Sequence, residues 1–216
     1  MREQTIAKIL EKKFIAIVRG ISPAHICALA EALCAGGIPL IEVTFDQSRP
    51  DAFTETTEAI AALAAMGGEI LPGAGTVMTP AQVRMAAEAG AKYIISPHAD
   101  EAVIRETRRL GLVSLPGVMT PTECANAHTW GADLMKLFPA GVLGAEYLKA
   151  LKAPLRHLHF LAVGGVSAAN IPALIKAGAE GFGVGGNLVN RAWIEAGAFD
   201  KITAAAREIV EAIENA

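Results

Sequence analysis

Eight short apolar runs recur along the 216 residues of this chain, and each is followed by a segment with the pattern of a helix. The runs are apolar almost throughout, which is typical of parallel strands that are buried on both faces. Ser-Pro or Thr-Pro pairs open several of the helical segments, and glycines close them. Ser167 is the expected N-cap of another helix, and a further helix is expected near residues 144–151. The apolar runs occupy residues 14–18, 40–45, 69–71, 93–97, 112–115, 134–138, 159–163 and 181–184.

Strand–helix units repeated in this way predict one α/β domain, a single (β/α)8 TIM barrel over residues 1–216. A short amphipathic segment, with Ile6, Ile9 and Leu10 on one side, precedes the first strand and predicts an extra N-terminal helix. An open doubly wound sheet is the alternative architecture, but such a sheet rarely needs so many regular repeats.

Composition narrows the partners that such a domain can have. Hydrophobic residues make up 52% of the chain and charged residues only 19%, which favours buried strands or an oligomer that covers extra apolar surface. The net charge of −3 argues against a nucleic-acid partner. No run approaches the ~20 apolar residues of a membrane span, and the charged N-terminus lacks the apolar core of a signal peptide. The three cysteines show neither metal-ligand nor disulfide spacing, so we expect a cytoplasmic protein.

In a TIM barrel the functional residues lie at the carboxyl ends of the strands. Among the residues at those positions are one glutamate and one lysine from apolar strands, and glycine-rich turns after the last two strands. The positions, chosen without regard to residue type, are Arg19, Glu42, Thr44, Thr76, Ser96, Pro97, Gly117, Lys136, Gly164, Gly165, Gly186 and Asn187.

Lys136 is the one charged residue in the apolar run over residues 134–140. Burial disfavours the ammonium form and lowers a lysine pKa, and the neutral amine is the form that attacks carbonyl groups. Glu42, in a Leu-Ile-Glu-Val-Thr strand, could move protons for such an amine. Two alternatives involve no chemistry: a lysine whose head reaches solvent along the strand, and a buried Glu42–Lys136 ion pair.

The glycine-rich turns Gly164-Gly165 and Gly185-Gly186-Asn187 predict an anion site. Loops at this position in a barrel commonly bind phosphate through backbone N–H groups, and glycine lets the backbone approach an anion closely. No metal site is predicted. Of the five histidines only His98 follows the carboxyl end of a strand, and a single ligand does not hold a metal.

Together these motifs resemble the bacterial 2-keto-3-deoxy-6-phosphogluconate (KDPG) and 2-keto-4-hydroxyglutarate (KHG) aldolase family, whose members are class I, Schiff-base-forming aldolases. The resemblance covers nearly the whole chain in order. The matching stretches are IAIVRG (15–20), GGIPLIEVTF (36–45), PGAGTV (72–77), YIISPH (93–98), LPGVMTPTE (115–123), LMKLFPA (134–140), AVGGVSAANI (162–171) and GVGGNLV (183–189).

The resemblance implies two catalytic residues, the imine-forming Lys136 and the general acid/base Glu42. It implies no metal and no cofactor beyond the covalent imine, and a homotrimer of barrels. The pocket that it implies for the pyruvate end of the substrate is formed by Arg19, Thr76, Pro97 and Phe138. The phosphate end that it implies is formed by Gly164, Gly165, Gly186 and Asn187.

Two residues depart from the family pattern. Some members carry an arginine shortly after the glutamate's strand, where this chain has Asp46, and the eighth turn often carries a serine where Asn187 stands. The expected reaction is cleavage of KDPG to pyruvate and glyceraldehyde 3-phosphate. The alternative substrates are 4-hydroxy-2-oxoglutarate and 2-keto-3-deoxy-6-phosphogalactonate. A non-catalytic barrel that binds phosphate ligands is the alternative from a different class.

Overall fold

A computed structural model of the chain describes residues 2–186 and 188–214, and the strands of this part form one parallel sheet. Its nine segments are β1 (Phe14–Val18), β2 (Leu40–Thr44), β3 (Leu71–Gly75), β4 (Tyr93–Ile95), β5 (Val113–Leu115), β6 (Gly117–Val118), β7 (Met135–Leu137), β8 (Phe160–Val163) and β9 (Gly181–Val184). Hydrogen bonds join them in the order β5-β4-β3-β2-β1-β9-β8-β7-β6.

Helices alternate with the strands. The α-helices of the described residues are α1 (Arg2–Lys12), α2 (Pro23–Ala35), α3 (Phe53–Met66), α4 (Pro80–Glu88), α5 (Glu101–Arg109), α6 (Pro121–Trp130), α7 (Ala140–Lys152), α8 (Ile171–Lys176), α9 (Arg191–Glu195) and α10 (Phe199–Glu214). A short 3₁₀ helix over Pro50–Ala52 directly precedes α3.

Pro116 explains why the sheet has nine segments where the sequence predicts eight strands. Proline has no N–H group to donate, so it interrupts the ladder between β5 and β6. The backbone around it still bonds on both sides. The Ser96 N–H group donates to the Leu115 carbonyl at 3.2 Å, and the Lys136 N–H group donates to the Pro116 carbonyl at 2.9 Å. β5 and β6 are therefore two halves of one strand, the sheet forms a nearly closed barrel, and the TIM-barrel prediction is confirmed.

The predicted N-terminal helix, α1, packs against the amino-terminal end of the barrel. Its buried Ile9 joins a cluster of inward-facing strand residues such as Ile15. At the same end Asp133 accepts hydrogen bonds from Arg2 of α1 and, at 2.9 Å, from Arg108 of α5. Burying apolar surface from α1 stabilises the barrel and leaves the opposite, carboxyl-terminal end open for a site.

Helices α4 and α6 begin as their Thr-Pro pairs predict. The Thr79 hydroxyl accepts from the Gln82 N–H group, and the Thr120 hydroxyl accepts from the Glu123 N–H group. In both helices the side chain of the third residue bonds back to the N-cap backbone, which completes a capping box.

One expected helix start is wrong. Ser167 does not cap α8, which begins at Ile171, because the Asn170 side chain accepts from the Ser167 N–H group at 2.9 Å and holds this segment in a turn. The helix expected near residues 144–151 is present as the second part of α7, which begins earlier, at Ala140, and is kinked at the non-helical Gly144. The sequence pattern does not predict the short helix α9, which the structure contains.

No helix of the described residues is long and apolar enough to cross a membrane. The barrel and its helices extend from α1 to α10, the two ends of the described chain. That residues 1–216 form one domain stays a prediction.

Tyr93 lies inside the barrel with an unpaired hydroxyl group. Its ring rests over Gly73 of the neighbouring strand, where an added Cβ atom would overlap the ring. The side chain is fully buried, and the hydroxyl has no hydrogen-bond partner among the described residues. An unpaired buried hydroxyl costs about 1–3 kcal/mol of stability.

We predict that Tyr93→Phe raises the free energy of unfolding by about 1 kcal/mol, because it removes the unpaired hydroxyl and keeps the ring. Chemical denaturation measures the difference. Tyr147→Phe is the matched control, because the Tyr147 hydroxyl donates to the Met119 carbonyl and its loss should not stabilise the protein. A lower stability for Tyr93→Phe would mean that the hydroxyl is satisfied in solution.

Candidate active site

A cavity of about 450 Å³ opens at the carboxyl ends of the strands. This is the face on which the sequence places its candidate residues. One of them, Asn187, lies outside the described residues. The predicted residues that line the cavity are Arg19, Glu42, Thr76, Pro97, Lys136, Phe138, Gly164, Gly165 and Gly186.

Lys136 reaches the cavity from the middle of β7 and is only 7% exposed, so it does not extend into bulk solvent. Burial lowers the pKa of its amine below 10.5; the charge of Glu42 opposes this shift, and that of Arg19 adds to it. The centroid of the Phe138 ring lies 5.2 Å from Nζ, within cation–π range of the charged form. The neutral, nucleophilic amine is therefore populated at a lower pH than in an unperturbed lysine.

Glu42 lies in the middle of β2 and is 2% exposed. A glycine of β3 makes room for it, because a Cβ atom at Gly75 would overlap the Glu42 carboxylate. Burial raises the pKa of this carboxyl above 4.5, against the lowering effects of Lys136 and Arg19. The shift brings its proton exchange closer to neutral pH, where a general acid/base is most effective.

Glu42 and Lys136 share one cavity without forming an ion pair. None of the ion pairs in the described chain joins them. The alternative of a closed structural salt bridge is therefore absent from this structure. The carboxyl and the amine both border the cavity, so each is open to a molecule bound there.

Arg19 and Thr76 form a polar edge of the cavity. The Arg19 Nη2 group donates to Thr76 Oγ1 at 3.2 Å. Thr76 has a φ of +54°, a left-handed conformation that costs a β-branched residue about 1–3 kcal/mol. A guanidinium group has five N–H donors, so Arg19 has others with which to bind an anion.

Phe138 and Pro97 supply apolar parts of the wall. The Phe138 ring packs on Gly164, where an added Cβ atom would lie 2.9 Å from the ring. Gly164 and Gly165 have φ values of +85° and +73°, which favour glycine. The Gly141 N–H group donates to the Gly164 carbonyl at 2.7 Å and fixes the turn against the start of α7.

Gly186 borders the cavity after β9. The turn there is held by the N–H groups of Leu188 and Val189, which donate to the Gly185 carbonyl at 2.8 Å and 3.0 Å. This turn and the Gly164-Gly165 turn follow two neighbouring strands, β9 and β8, and both border the cavity with backbone.

Asp46, the acidic residue that departs from the family pattern, organises its own loop. Its carboxylate accepts from the Ser48 hydroxyl at 2.6 Å and from the Ser48 N–H group at 3.0 Å. These hydrogen bonds lower the pKa of Asp46 below its usual range, and the charges of Arg49 and Arg19 act in the same direction. Asp46 is not among the residues that line the cavity.

Three residues at strand ends do not line the cavity: Thr44, Ser96 and Gly117. The Thr44 hydroxyl donates instead to the Val18 carbonyl at 3.3 Å. The sequence analysis in turn did not name five other residues that line the cavity, although alternation along the strands would have indicated several of them. They are Ile17, Val163, Val166, Gly183 and Val184.

His98, the histidine that follows β4, has a buried Nδ1 atom without a hydrogen-bond partner among the described residues. Throughout residues 2–186 and 188–214, no group of three or more His, Cys, Asp or Glu side chains is placed to hold a metal ion.

Comparison with known proteins assigns the chain to a family. The family described as KDPG and KHG aldolase matches residues 5–205 of the chain. The chain belongs to this family. It is therefore an aldolase, an enzyme that cleaves and forms carbon–carbon bonds.

Individual relatives carry names that agree with the family. The aldolase is 39% identical, over 180 residues, to the probable 2-dehydro-3-deoxy-6-phosphogalactonate aldolase of Rhizobium meliloti, covering 83% of this chain and 82% of the relative. A solved structure described as native KDPGal has a TM-score of 0.84 at 33% identity and covers 94% of both chains. KDPG aldolase from Legionella pneumophila, with pyruvate captured as a covalent carbinolamine, has a TM-score of 0.83 at 27% identity, covering 94% of this chain and 96% of that one.

We predict that Lys136 reacts with reagents for neutral amines, such as formaldehyde with cyanoborohydride, at a lower pH than free Nα-acetyl-lysine, because burial lowers the pKa of its amine. Glu42→Gln should move the reactivity of Lys136 to still lower pH, because the negative charge of Glu42 raises the lysine pKa. Peptide mass analysis over a pH series measures the midpoint in each protein. A midpoint for Lys136 equal to that of Nα-acetyl-lysine would contradict the prediction.

Proposed function

We propose that this aldolase cleaves a 2-keto-3-deoxy-6-phospho sugar acid, with KDPG as the first candidate, to pyruvate and an aldehyde through an imine on Lys136. The observation that carries the proposal is a buried lysine, with a lowered pKa, in one cavity with a buried glutamate whose pKa is raised. The carbinolamine in the Legionella pneumophila neighbour supports it, because that species precedes an imine.

The first steps use the amine. Neutral Lys136 adds to the C2 ketone of the substrate to form a carbinolamine, which loses water to give a protonated imine. Glu42 takes the proton of the C4 hydroxyl, directly or through a water molecule, and the C3–C4 bond breaks. The bonding electrons move into the enamine, which neutralises the imine, and the aldehyde leaves.

The return steps regenerate the enzyme. The enamine takes up a proton at C3, water hydrolyses the resulting imine, and pyruvate and the free amine of Lys136 are released. One ionisable group near the amine can serve the successive proton transfers. Glu42 takes a proton from the C4 hydroxyl during the cleavage and can donate that proton in the later steps. The proposal asks for no metal and for no cofactor beyond the imine.

We assign the two ends of the cavity to the two ends of the substrate. Arg19 and Thr76 bind the carboxylate next to the ketone, since Arg19 donates toward Thr76 and keeps further N–H groups for an anion. Pro97 and Phe138 enclose the C3 methylene of the substrate, which becomes the methyl group of pyruvate. Gly164, Gly165 and Gly186 bind the far phosphate through backbone N–H groups, with Asn187 beside them in sequence.

The second candidate substrate is the C4 epimer, 2-keto-3-deoxy-6-phosphogalactonate. The names of the Rhizobium meliloti relative and of the KDPGal structure favour it. 4-Hydroxy-2-oxoglutarate, which ends in a carboxylate instead of a phosphate, is the third. A barrel that binds phosphate ligands without catalysis would contradict the proposal.

We also propose a homotrimer in the cytoplasm. Large apolar side chains stand exposed around the open end of the barrel, among them Met78, Met119 and Val142, and burial against another copy would remove them from water. The three cysteines are free thiols, as expected in a reducing compartment.

Reductive trapping tests the imine. Incubation with pyruvate and borohydride should attach a three-carbon acid to Lys136, read by peptide mass analysis. Lys136→Ala should form no adduct and show no aldolase turnover while keeping its fold. Glu42→Gln should keep the site's shape and slow turnover by roughly 10²–10⁴-fold, the usual contribution of one acid/base group.

The adduct's position decides between the functions. An adduct on another lysine would show that the active site lies at that lysine and not at Lys136. Folded protein without any adduct would overturn the aldolase mechanism and favour the binding barrel. Circular dichroism of each variant checks that lost activity is not lost folding.

Relative cleavage rates identify the substrate. We predict that kcat/KM is highest for one of the two 6-phospho sugar acids and at least about tenfold lower for 4-hydroxy-2-oxoglutarate, because only the former fill the glycine-rich end. Coupled assays of pyruvate release measure all three. A preference for 4-hydroxy-2-oxoglutarate would contradict the phosphate assignment.

A further inference from the structure

The left-handed backbone of Thr76 is held by a side chain from another loop. A β-branched residue at φ +54° reverts to a normal conformation unless its surroundings fix it. Here the Gln47 side-chain amide donates to the Thr76 carbonyl at 2.7 Å. Gln47 lies in the loop after β2 and does not line the cavity, so it reaches the site only through Thr76.

Gln82, at the start of α4, holds Gln47 in turn. The Gln82 Oε1 atom accepts from the Met78 N–H group at 2.7 Å and from the Thr79 N–H group at 3.2 Å. With its oxygen used in this way, its Nε2 group donates to Gln47 Oε1 at 3.0 Å. Gln82 is 3% exposed, so water competes little for these bonds.

Backbone groups at both ends determine how the two amides are oriented. Two N–H groups can face only the oxygen of Gln82, which turns its NH₂ group toward Gln47. Gln47 must then present its oxygen to Gln82 and its own NH₂ group to the Thr76 carbonyl. The chain of bonds runs in one direction, from the N-terminus of α4 to the strained residue.

The loop that carries Gln47 is itself fixed. Asp46 and Ser48, on either side of Gln47, form the turn described above, and the Arg49 N–H group closes it on the Asp46 carbonyl at 3.0 Å. Just before the turn, Phe45 packs edge-to-face on Phe53 with ring centroids 5.1 Å apart. These contacts fix the turn that places the Gln47 side chain against Thr76.

We propose that Gln47 is a positioning residue for the substrate carboxylate, holding Thr76 in the left-handed conformation in which its hydroxyl meets Arg19. Because Thr76 Oγ1 accepts from Arg19, the hydroxyl proton is left to donate to a carboxylate. Arg19 and Thr76 then act as one preformed anion site. This inference rests on the proposed function, in which these two residues bind the carboxylate of the 2-keto acid.

The test measures pyruvate binding apart from chemistry. In the intact protein, Gln47→Ala should raise the pyruvate concentration for half-maximal trapping on Lys136 by about 3- to 10-fold, the usual weight of one hydrogen bond, with less than about twofold change in the rate at saturation. Gln47→Glu, which keeps the length but not the donor, should behave like Gln47→Ala. Gln4→Ala, the same change on exposed α1, should leave both values unaltered.

A double-mutant cycle with Thr76 shows whether Gln47 acts through it. Thr76→Gly accepts a positive φ without strain but loses the hydroxyl, so Gln47→Ala should have no further effect in that background. Additive effects would overturn the inference, as would wild-type affinity in Gln47→Ala or Gln47→Glu.

The failures of the two proposals are distinguishable. A wild-type adduct on Lys136 with unchanged trapping in Gln47→Ala would remove the role of Gln47 and leave the aldolase mechanism standing. The absence of an adduct in the wild type would overturn both.

Discussion

The desolvation of two ionisable groups inside an apolar barrel is the constraint on which the site depends. Burial disfavours charge on Glu42 and on Lys136, so it raises the pKa of the carboxyl and lowers that of the amine. Attraction between the charged forms opposes burial but is the smaller effect on each group. The two pKa values therefore approach each other, and protons can move between the groups and a substrate at a modest free-energy cost.

Space for this chemistry comes from a strand, β3, that carries two glycines. Branched residues normally fill the inside of a TIM barrel. β3 gives up that volume at Gly73 and Gly75, over which Tyr93 and Glu42 extend. The glutamate is thus accommodated by its neighbouring strand, while α1 closes the opposite end. The same strands therefore form a packed amino-terminal end of the barrel and an open carboxyl-terminal end.

Residues outside the lining of the cavity help to position the side chains of the site. Gln82 caps α4, and through Gln47 it also reaches Thr76. One buried amide therefore links the stability of a helix terminus to the geometry of a polar site, because the same side chain serves both. Loops that carry function on a rigid barrel commonly depend on such supporting contacts.

The sequence by itself determined the order of strands and helices, the residues at the strand ends, and the presence of Glu42 and Lys136 at one face of the barrel. These follow from local periodicity and from the rule that barrel strands end at a common face. Only the tertiary structure decided that Ser167 would not cap α8, that Pro116 would split a strand without opening the barrel, and that Gln47 would support Thr76. The last contact joins residues 29 positions apart and relies on a glutamine a further 35 positions from Gln47. Such contacts depend on how loops meet in space, and no local pattern of residues encodes that.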